Sequence, residues 1–160
     1  GVAADMAKAL AWYGEAAKLE NPGAIYILAR AYDLGDGAPA DPQKAMGYYK
    51  VAALKGNIDA QAAMATYFYE GKLVPKDDVT ARKWFQTAAV GGDADAMFNL
   101  GVMTMKGEGG DADLATAWVW LKMSETGGVV AAPNAVSVIE RRMTPQQLQA
   151  AKSIYNPGKR

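Results

Sequence analysis

Apolar, small and polar positions recur along this chain with a period of 36 residues. Aromatic pairs, alanine pairs, loop glycines and aspartates all keep the same phase, with no insertion between copies. The clearest series are the alanines Ala9, Ala45, Ala81 and Ala117 and the aspartates Asp5, Asp41, Asp77 and Asp113. A constant period of this length indicates stacked copies of one supersecondary unit.

One copy, residues 57–92, shows what each unit contains. Asp59 is a candidate cap for a first helix, whose apolar and small residues recur at helical spacing as far as Gly71. Pro75 prevents this helix from continuing, and Asp77 is a candidate cap for a second helix. Each copy is therefore predicted to be a pair of antiparallel helices joined by a loop.

Side-chain size along the two helices predicts how the pairs pack. Small residues such as Ala65 and Gly101 are expected where two helices cross closely. An aromatic side chain in the middle of each second helix, such as Trp12 or Trp84, is expected to fill the space between successive pairs. The aromatic ladder is thus interpreted as core, in preference to a platform for stacking sugars or bases.

The pattern predicts an all-α fold, an α-solenoid of stacked antiparallel helix pairs in a single domain, residues 1–160. Its parts are a half repeat at about 5–19, full repeats at 22–56, 58–92 and 94–128, and a C-terminal helix pair at 131–155. The last pair lacks the glycine loop. Instead Thr144, Pro145 and Gln147 match the start of a helix with a capping box, so an atypical terminal helix is expected to cap the array.

Composition excludes several classes of chemistry. The chain has no Cys and no His, which removes thiol chemistry, the commonest zinc ligand and every Ser–His or Cys–His pair. Lys plus Arg and Asp plus Glu number 17 each, without the basic run that a nucleic-acid binder carries. No apolar run approaches the roughly 20 residues that span a bilayer. We therefore expect no catalysis, no cofactor, no nucleic-acid partner and no membrane insertion.

Two local patterns partly match known ligand sites. Residues 107–110, Gly-Glu-Gly-Gly, lack the preceding strand and following Lys-Ser/Thr of a phosphate loop, so an inter-helix turn is predicted. Asp33, Asp36 and Asp41 suggest calcium, but the 12-residue calcium loop counted from Asp33 would end at Lys44, where an acid is needed. Helix capping explains these aspartates better, and no metal site is predicted.

The residues also carry a family likeness. Residues 96–101 (AMFNLG) followed by 106–109 (KGEG) resemble the Sel1-like repeat, and so do 41–45 (DPQKA) with the following Tyr48 and Tyr49. The likeness covers about residues 5–128. The family is related to the tetratricopeptide repeat, so the resemblance implies a right-handed superhelical solenoid that acts as an adaptor. The segment at 142–148 resembles the ends of bacterial members, and a periplasmic or secreted location is slightly favoured over the cytoplasm.

The same resemblance implies where a partner binds. In the tetratricopeptide fold the first helices line a concave groove, and residues on their non-core side contact peptides. The predicted partner-binding residues are Tyr26, Arg30, Asp33, Thr66, Tyr69, Phe98, Val102 and Met105. This groove would be charged at its N-terminal end and apolar at its C-terminal end. The competing interpretation is that curvature or the final helix covers these side chains.

We therefore predict a non-enzymatic protein-interaction module or adaptor that binds a protein or peptide segment in this groove. The alternatives are a regulatory or scaffold domain of a larger envelope-associated protein, or a homo-oligomer that assembles through its terminal helices. A monomer is favoured.

Overall fold

The computed structural model describes residues 2–155, with side chains from residue 8 onward. Asp5 and the residues after 155 lie outside the side chains described. This range contains nine α-helices and no strand, which confirms the predicted all-α fold. The helices are α1 Val2–Lys18, α2 Pro22–Leu34, α3 Pro42–Leu54, α4 Ile58–Glu70, α5 Asp78–Val90, α6 Ala94–Lys106, α7 Leu114–Thr126, α8 Ala132–Glu140 and α9 Pro145–Ile154.

Second helices begin at the aspartates of the ladder, as predicted. Asp41, Asp77 and Asp113 each accept a hydrogen bond from a backbone N–H of the first turn of α3, α5 and α7. The Thr80 hydroxyl also donates to Asp77 at 2.6 Å and lowers the pKa of that carboxyl. A Thr116 hydroxyl at 2.7 Å lowers the pKa of Asp113 in the same way.

The cap of the first helix α4 lies two residues earlier than predicted, while the helix itself begins at the predicted repeat boundary. Asn57, and not Asp59, caps α4, because its extended backbone aims the side-chain oxygen at the N–H of Ala60, 2.8 Å away. Asn21 and Asp93 hold the same position before α2 and α6. Asp59 lies in the first turn of α4, where a negative charge still complements the helix dipole.

In each pair of the aromatic ladder along α3, α5 and α7, the second residue is the buried one. Tyr49 is 5% exposed, Phe85 3% and Leu121 0%. Trp84 is half-buried, and Trp12 is 77% exposed, so the expectation that Trp12 fills a space between pairs is wrong. The side of α1 that faces α2 carries other residues of this helix, which line a cavity there.

The described chain divides into two compact units between Lys76 and Asp77. In unit 1, α1 packs on α2, α2 on α3 and α3 on α4. In unit 2, α5 packs on α6, α6 on α7, and α7 on both α8 and α9. Helices α6 and α7 of unit 2 cross closely at Gly101, where an added Cβ would come within 2.8 Å of Leu121 Cγ. Close crossings therefore require small residues here, as predicted.

The atypical terminal helix is present in unit 2. Thr144 and Gln147 form a reciprocal capping box at the start of α9. Trp118 of α7 donates from Nε1 to Glu140 at 2.9 Å, and its ring meets Tyr155 edge-on with centroids 5.8 Å apart. These contacts hold α9 and the end of α8 against α7.

Candidate protein-binding site

An aspartate at the end of α2 collects polar side chains from three other parts of unit 1. Asp33 Oδ1 accepts a hydrogen bond from the Tyr67 hydroxyl of α4 at 3.2 Å. Its Oδ2 accepts one from the Tyr49 hydroxyl of α3 at 3.5 Å. Lys72, in the loop after α4, places Nζ 3.6 Å from Oδ1. We call Asp33, Tyr49, Tyr67 and Lys72 the Asp33 cluster.

The two tyrosine rings of the cluster and the ring of Tyr26 pack side by side, each pair tilted by about 50°. Tyr49 lies between Tyr26 and Tyr67, with ring centroids 5.9 Å and 6.1 Å away. Burial raises the pKa of Tyr67 to about 12, and the negative charge of Asp33 adds to the shift. Burial also raises the pKa of Tyr49, again helped by Asp33. Both hydroxyls therefore stay protonated at neutral pH and act as donors to the carboxylate.

A cavity of about 170 Å³ opens beside the cluster. All four cluster residues line it, together with Ala63, Thr66 and Glu70 of α4. The Lys72 ammonium also lies 5.2 Å from the centroid of the Tyr67 ring. The cavity thus combines a carboxylate, aromatic side chains and a cation already in place, between α2, α3, α4 and the loop after α4.

The predicted groove residues of unit 1 fall around this cavity. Asp33 and Thr66 line it, and Tyr26 packs on the Tyr49 ring. Arg30 is exposed and lines a different cavity, between α1 and α2. Tyr69 is half-buried, with the Lys76 ammonium 4.7 Å from its ring centroid.

The predicted groove residues of unit 2 are in a different environment. Phe98, Val102 and Met105 are partly buried and pack against the apolar cluster that includes Trp118 and Ile139. Helices α8 and α9 contribute to that cluster, so much of this apolar surface is used inside the unit. The role of Phe98, Val102 and Met105 as partner contacts remains a prediction.

Three members of the cluster were not predicted as site residues. The sequence pattern assigns Tyr49 to the core, and it does not single out Tyr67. The period nevertheless holds a signal for Lys72, because the equivalent loop positions in the neighbouring copies are the acids Asp36 and Glu108. A reversal of charge at one repeat position is typical of a local specialisation.

The glycine loop of unit 2 has a structural role. Gly107 ends α6 with a positive φ of 77°, as an inter-helix turn requires. At Gly109 φ is 72° and an added Cβ would lie 2.2 Å from the backbone oxygen of Asp78. Arg82 donates to the carbonyls of Glu108 and Asp111 in this loop. The loop is therefore the predicted turn, held against the start of α5.

Among the described residues, no helix is both long and apolar enough to cross a membrane.

Comparison with known proteins agrees with the repeat architecture. The Sel1 repeat profile matches residues 1–21, 22–57, 58–93 and 94–129. Comparison with curated protein sequences gives no match.

Solved structures also resemble the chain. A Sel1 repeat protein from Oxalobacter formigenes is 35% identical over 83% of this chain and 38% of its own, with a TM-score of 0.80. A protective antigen of uropathogenic Escherichia coli strains, displaying an SLR fold, is 25% identical over 92% of this chain and 40% of its own, with a TM-score of 0.59. Cysteine-rich protein B of Helicobacter pylori shares the fold, with a TM-score of 0.64. It is 21% identical over 84% of this chain and 97% of its own.

The chain thus spans about two-fifths of the length of the first two structures. Their solenoid fold and the 36-residue spacing of the matches confirm the predicted fold class. The profile covers well over half of the sequence, and the chain belongs to the Sel1 repeat family.

Proposed function

We propose that this chain is a non-enzymatic interaction module that binds a segment of a partner protein on the face of its first helices. Sel1 repeat proteins are generally protein–protein interaction modules. The observation that carries the proposal is the open cavity at the Asp33 cluster, because first helices α2 and α4 supply most of its lining, and it combines aromatic side chains with convergent polar groups.

The rest of the predicted face supports this proposal to different degrees. In unit 1, Arg30 and Thr66 are exposed beside polar and aromatic groups, and so suit orientation of a peptide. In unit 2, Phe98, Val102 and Met105 keep some exposed surface and remain candidate apolar contacts. The stronger candidate is the polar site of unit 1.

A peptide-display selection on the purified chain tests the proposal. Selected peptides are measured against the parent and against Thr66→Arg, which fills the cavity rim with a long charged side chain. Thr66 is exposed and, within the described part of the chain, its hydroxyl donates only to Ala62 of the same helix, so the variant should fold normally. Lys50→Glu, at an exposed position of α3, is the matched control.

We expect Thr66→Arg to weaken binding at least tenfold, about 1.4 kcal/mol or more, and Lys50→Glu to change it less than twofold. Thermal melts followed by circular dichroism check that both variants are folded. Selected peptides that bind Thr66→Arg as tightly as the parent would contradict the proposed site.

A second function, self-association, is favoured by apolar surface on α1 and α2. Trp12 is 77% exposed, Leu34 64% and Ile27 37%, and a cavity of about 180 Å³ lies between these helices. If two copies associate through this surface, the mass measured by light scattering rises with concentration and Trp12→Ser reduces the rise. A constant monomer mass over the same concentrations excludes it.

A further inference from the structure

The Asp33 carboxylate has acceptor capacity that the protein does not fill. An ionised carboxylate offers about four lone-pair sites. Among the described residues, Oδ2 accepts only the long 3.5 Å hydrogen bond from Tyr49, and Oδ1 accepts one from Tyr67 at 3.2 Å. Both oxygens therefore remain able to accept from a donor that enters the cavity.

The position beside this carboxylate already holds an ammonium group. Lys72 Nζ lies 3.6 Å from Asp33 Oδ1 and 5.2 Å from the Tyr67 ring centroid, which is the range of a cation–π contact. The side chain of Lys72 is 51% exposed, and ion pairs of this kind contribute little to stability. A competing cation can therefore displace Lys72 into solvent at small cost.

The charges around the cavity also favour a cation. Asp33 and Glu70 both line it, against the single ammonium of Lys72. Arg30 lies one turn before Asp33 on α2; its exposed side chain lines the cavity between α1 and α2, and among the contributions to the pKa of Tyr49 its charge is the smallest. When Lys72 moves out, the cavity presents two carboxylates and the faces of tyrosine rings.

We propose that the Asp33 cavity binds the ammonium group of a lysine side chain in the partner segment, in the place that Lys72 occupies in this structure. This inference rests on the proposed function and names its chemistry. Lys72 is then an internal competitor that lowers affinity for basic segments, and its removal opens the site.

The probe is a capped Gly-Lys-Gly peptide, with the norleucine peptide of equal length as its uncharged match. Binding is followed by the NMR signals of the Tyr49 and Tyr67 rings. Asp33→Asn keeps an acceptor for the tyrosine hydroxyls but removes the charge, and Lys72→Met removes the competitor. Lys76→Met is the matched control, because Lys76 follows in the same loop but lies over Tyr69, 4.7 Å from its ring centroid.

We expect the lysine peptide to shift both ring signals and to bind Lys72→Met about three- to tenfold more tightly than the parent. Asp33→Asn should weaken binding by at least about tenfold, as loss of a charged partner does. Lys76→Met should bind as the parent does. Equal binding of the norleucine peptide, or an unchanged affinity in Lys72→Met or Asp33→Asn, overturns the inference.

The two proposals fail separately. If display-selected peptides lose affinity with Thr66→Arg but not with Asp33→Asn, the interaction module stands and the lysine specificity is wrong. If neither substitution affects them, the proposed binding face is wrong as well.

Discussion

In unit 1, Tyr49 of α3 lies between the rings of Tyr26 and Tyr67, and its hydroxyl faces Asp33. Two periods of 36 residues later, the same four positions are all apolar. They are Leu121 for Tyr49, Phe98 for Tyr26, Ile139 for Tyr67 and Met105 for Asp33. In unit 2 these side chains belong to, or pack against, one apolar cluster closed by α9.

The comparison separates what the repeat determines from what it leaves variable. Burial is a property of the position, since Tyr49 is 5% exposed and Leu121 0%. The polarity of the side chain is not fixed by the position, because a buried hydroxyl is tolerated wherever a partner accepts its hydrogen bond. In unit 1, Asp33 is that acceptor. We infer that unit 1 uses these positions for recognition and unit 2 uses them for stability.

The largest expected effect is in unit 2. Leu121→Ala removes a fully buried side chain and should lower the free energy of unfolding by about 3 kcal/mol, within the range of roughly 2–5 for such changes. At the equivalent position of unit 1, Tyr49→Phe removes only a long hydrogen bond and should cost under about 1 kcal/mol. Urea unfolding followed by circular dichroism measures both. Equal losses would mean that the hydroxyl of unit 1 is as structural as the leucine of unit 2.

The next effect tests the close helix crossing at Gly101. An alanine there would place Cβ 2.8 Å from Leu121 Cγ, so Gly101→Ala should cost about 1–3 kcal/mol. Gly47→Ala is the control, because an added Cβ meets nothing within 4 Å, and it should stabilise α3 by about 0.5–1 kcal/mol.

A double variant identifies the cause. Gly101→Ala combined with Leu121→Ala should lose less stability than the two separate losses added together, because the clashing atoms are gone. Additive losses would show that the strain at Gly101 does not come from Leu121.

Much of the fold was predictable because its signals are local and repeated. Asp77 and Gly71 mark helix ends within a few residues of sequence, and the capping box at Thr144 is a short motif. The Asn57 cap was missed because Asp59, two residues later, is equally able to cap. Sequence spacing alone does not decide which side chain has the extended backbone that a cap needs.

The site was less predictable because it depends on contacts between helices. Asp33 and Tyr67 are 34 residues apart, and their hydrogen bond follows from how α2 and α4 lie beside α3. Helical phase predicted that Asp33 and Thr66 share a face, and both line the cavity, but it does not give the direction in which Tyr67 points. The contacts of Trp118 were unpredictable for a related reason. This residue is out of phase with the aromatic ladder, and its partners Glu140 and Tyr155 come from α8 and the end of α9.

A smaller effect, of opposite sign, is expected at a buried hydroxyl of unit 2. Ser124 is 0% exposed and its Oγ has no hydrogen-bond partner among the described residues, whereas alanines fill the equivalent positions 52 and 88. Ser124→Ala should therefore stabilise the chain by about 1 kcal/mol. Thr104→Ala is the control, because the Thr104 hydroxyl is buried but donates to Leu100 at 2.7 Å, and its loss should destabilise. Matching signs in the two variants would contradict the assignment of Ser124 as unsatisfied.

The smallest expected effect is a change in the pH dependence of stability at alkaline pH, from Tyr67 of unit 1. The folded pKa of Tyr67, about 12, lies above the value near 10 of an unfolded chain. Below about pH 10 both states keep the proton, so stability is unaffected. Between about pH 10 and 12 the unfolded chain releases a proton that the folded chain retains, and stability falls. Tyr67→Phe should make this decline shallower, as measured by melting temperature against pH. Parallel curves for the parent and Tyr67→Phe would show that burial and Asp33 do not raise the pKa of Tyr67. The contrast between a polar unit 1 and an apolar unit 2 would then have no electrostatic consequence.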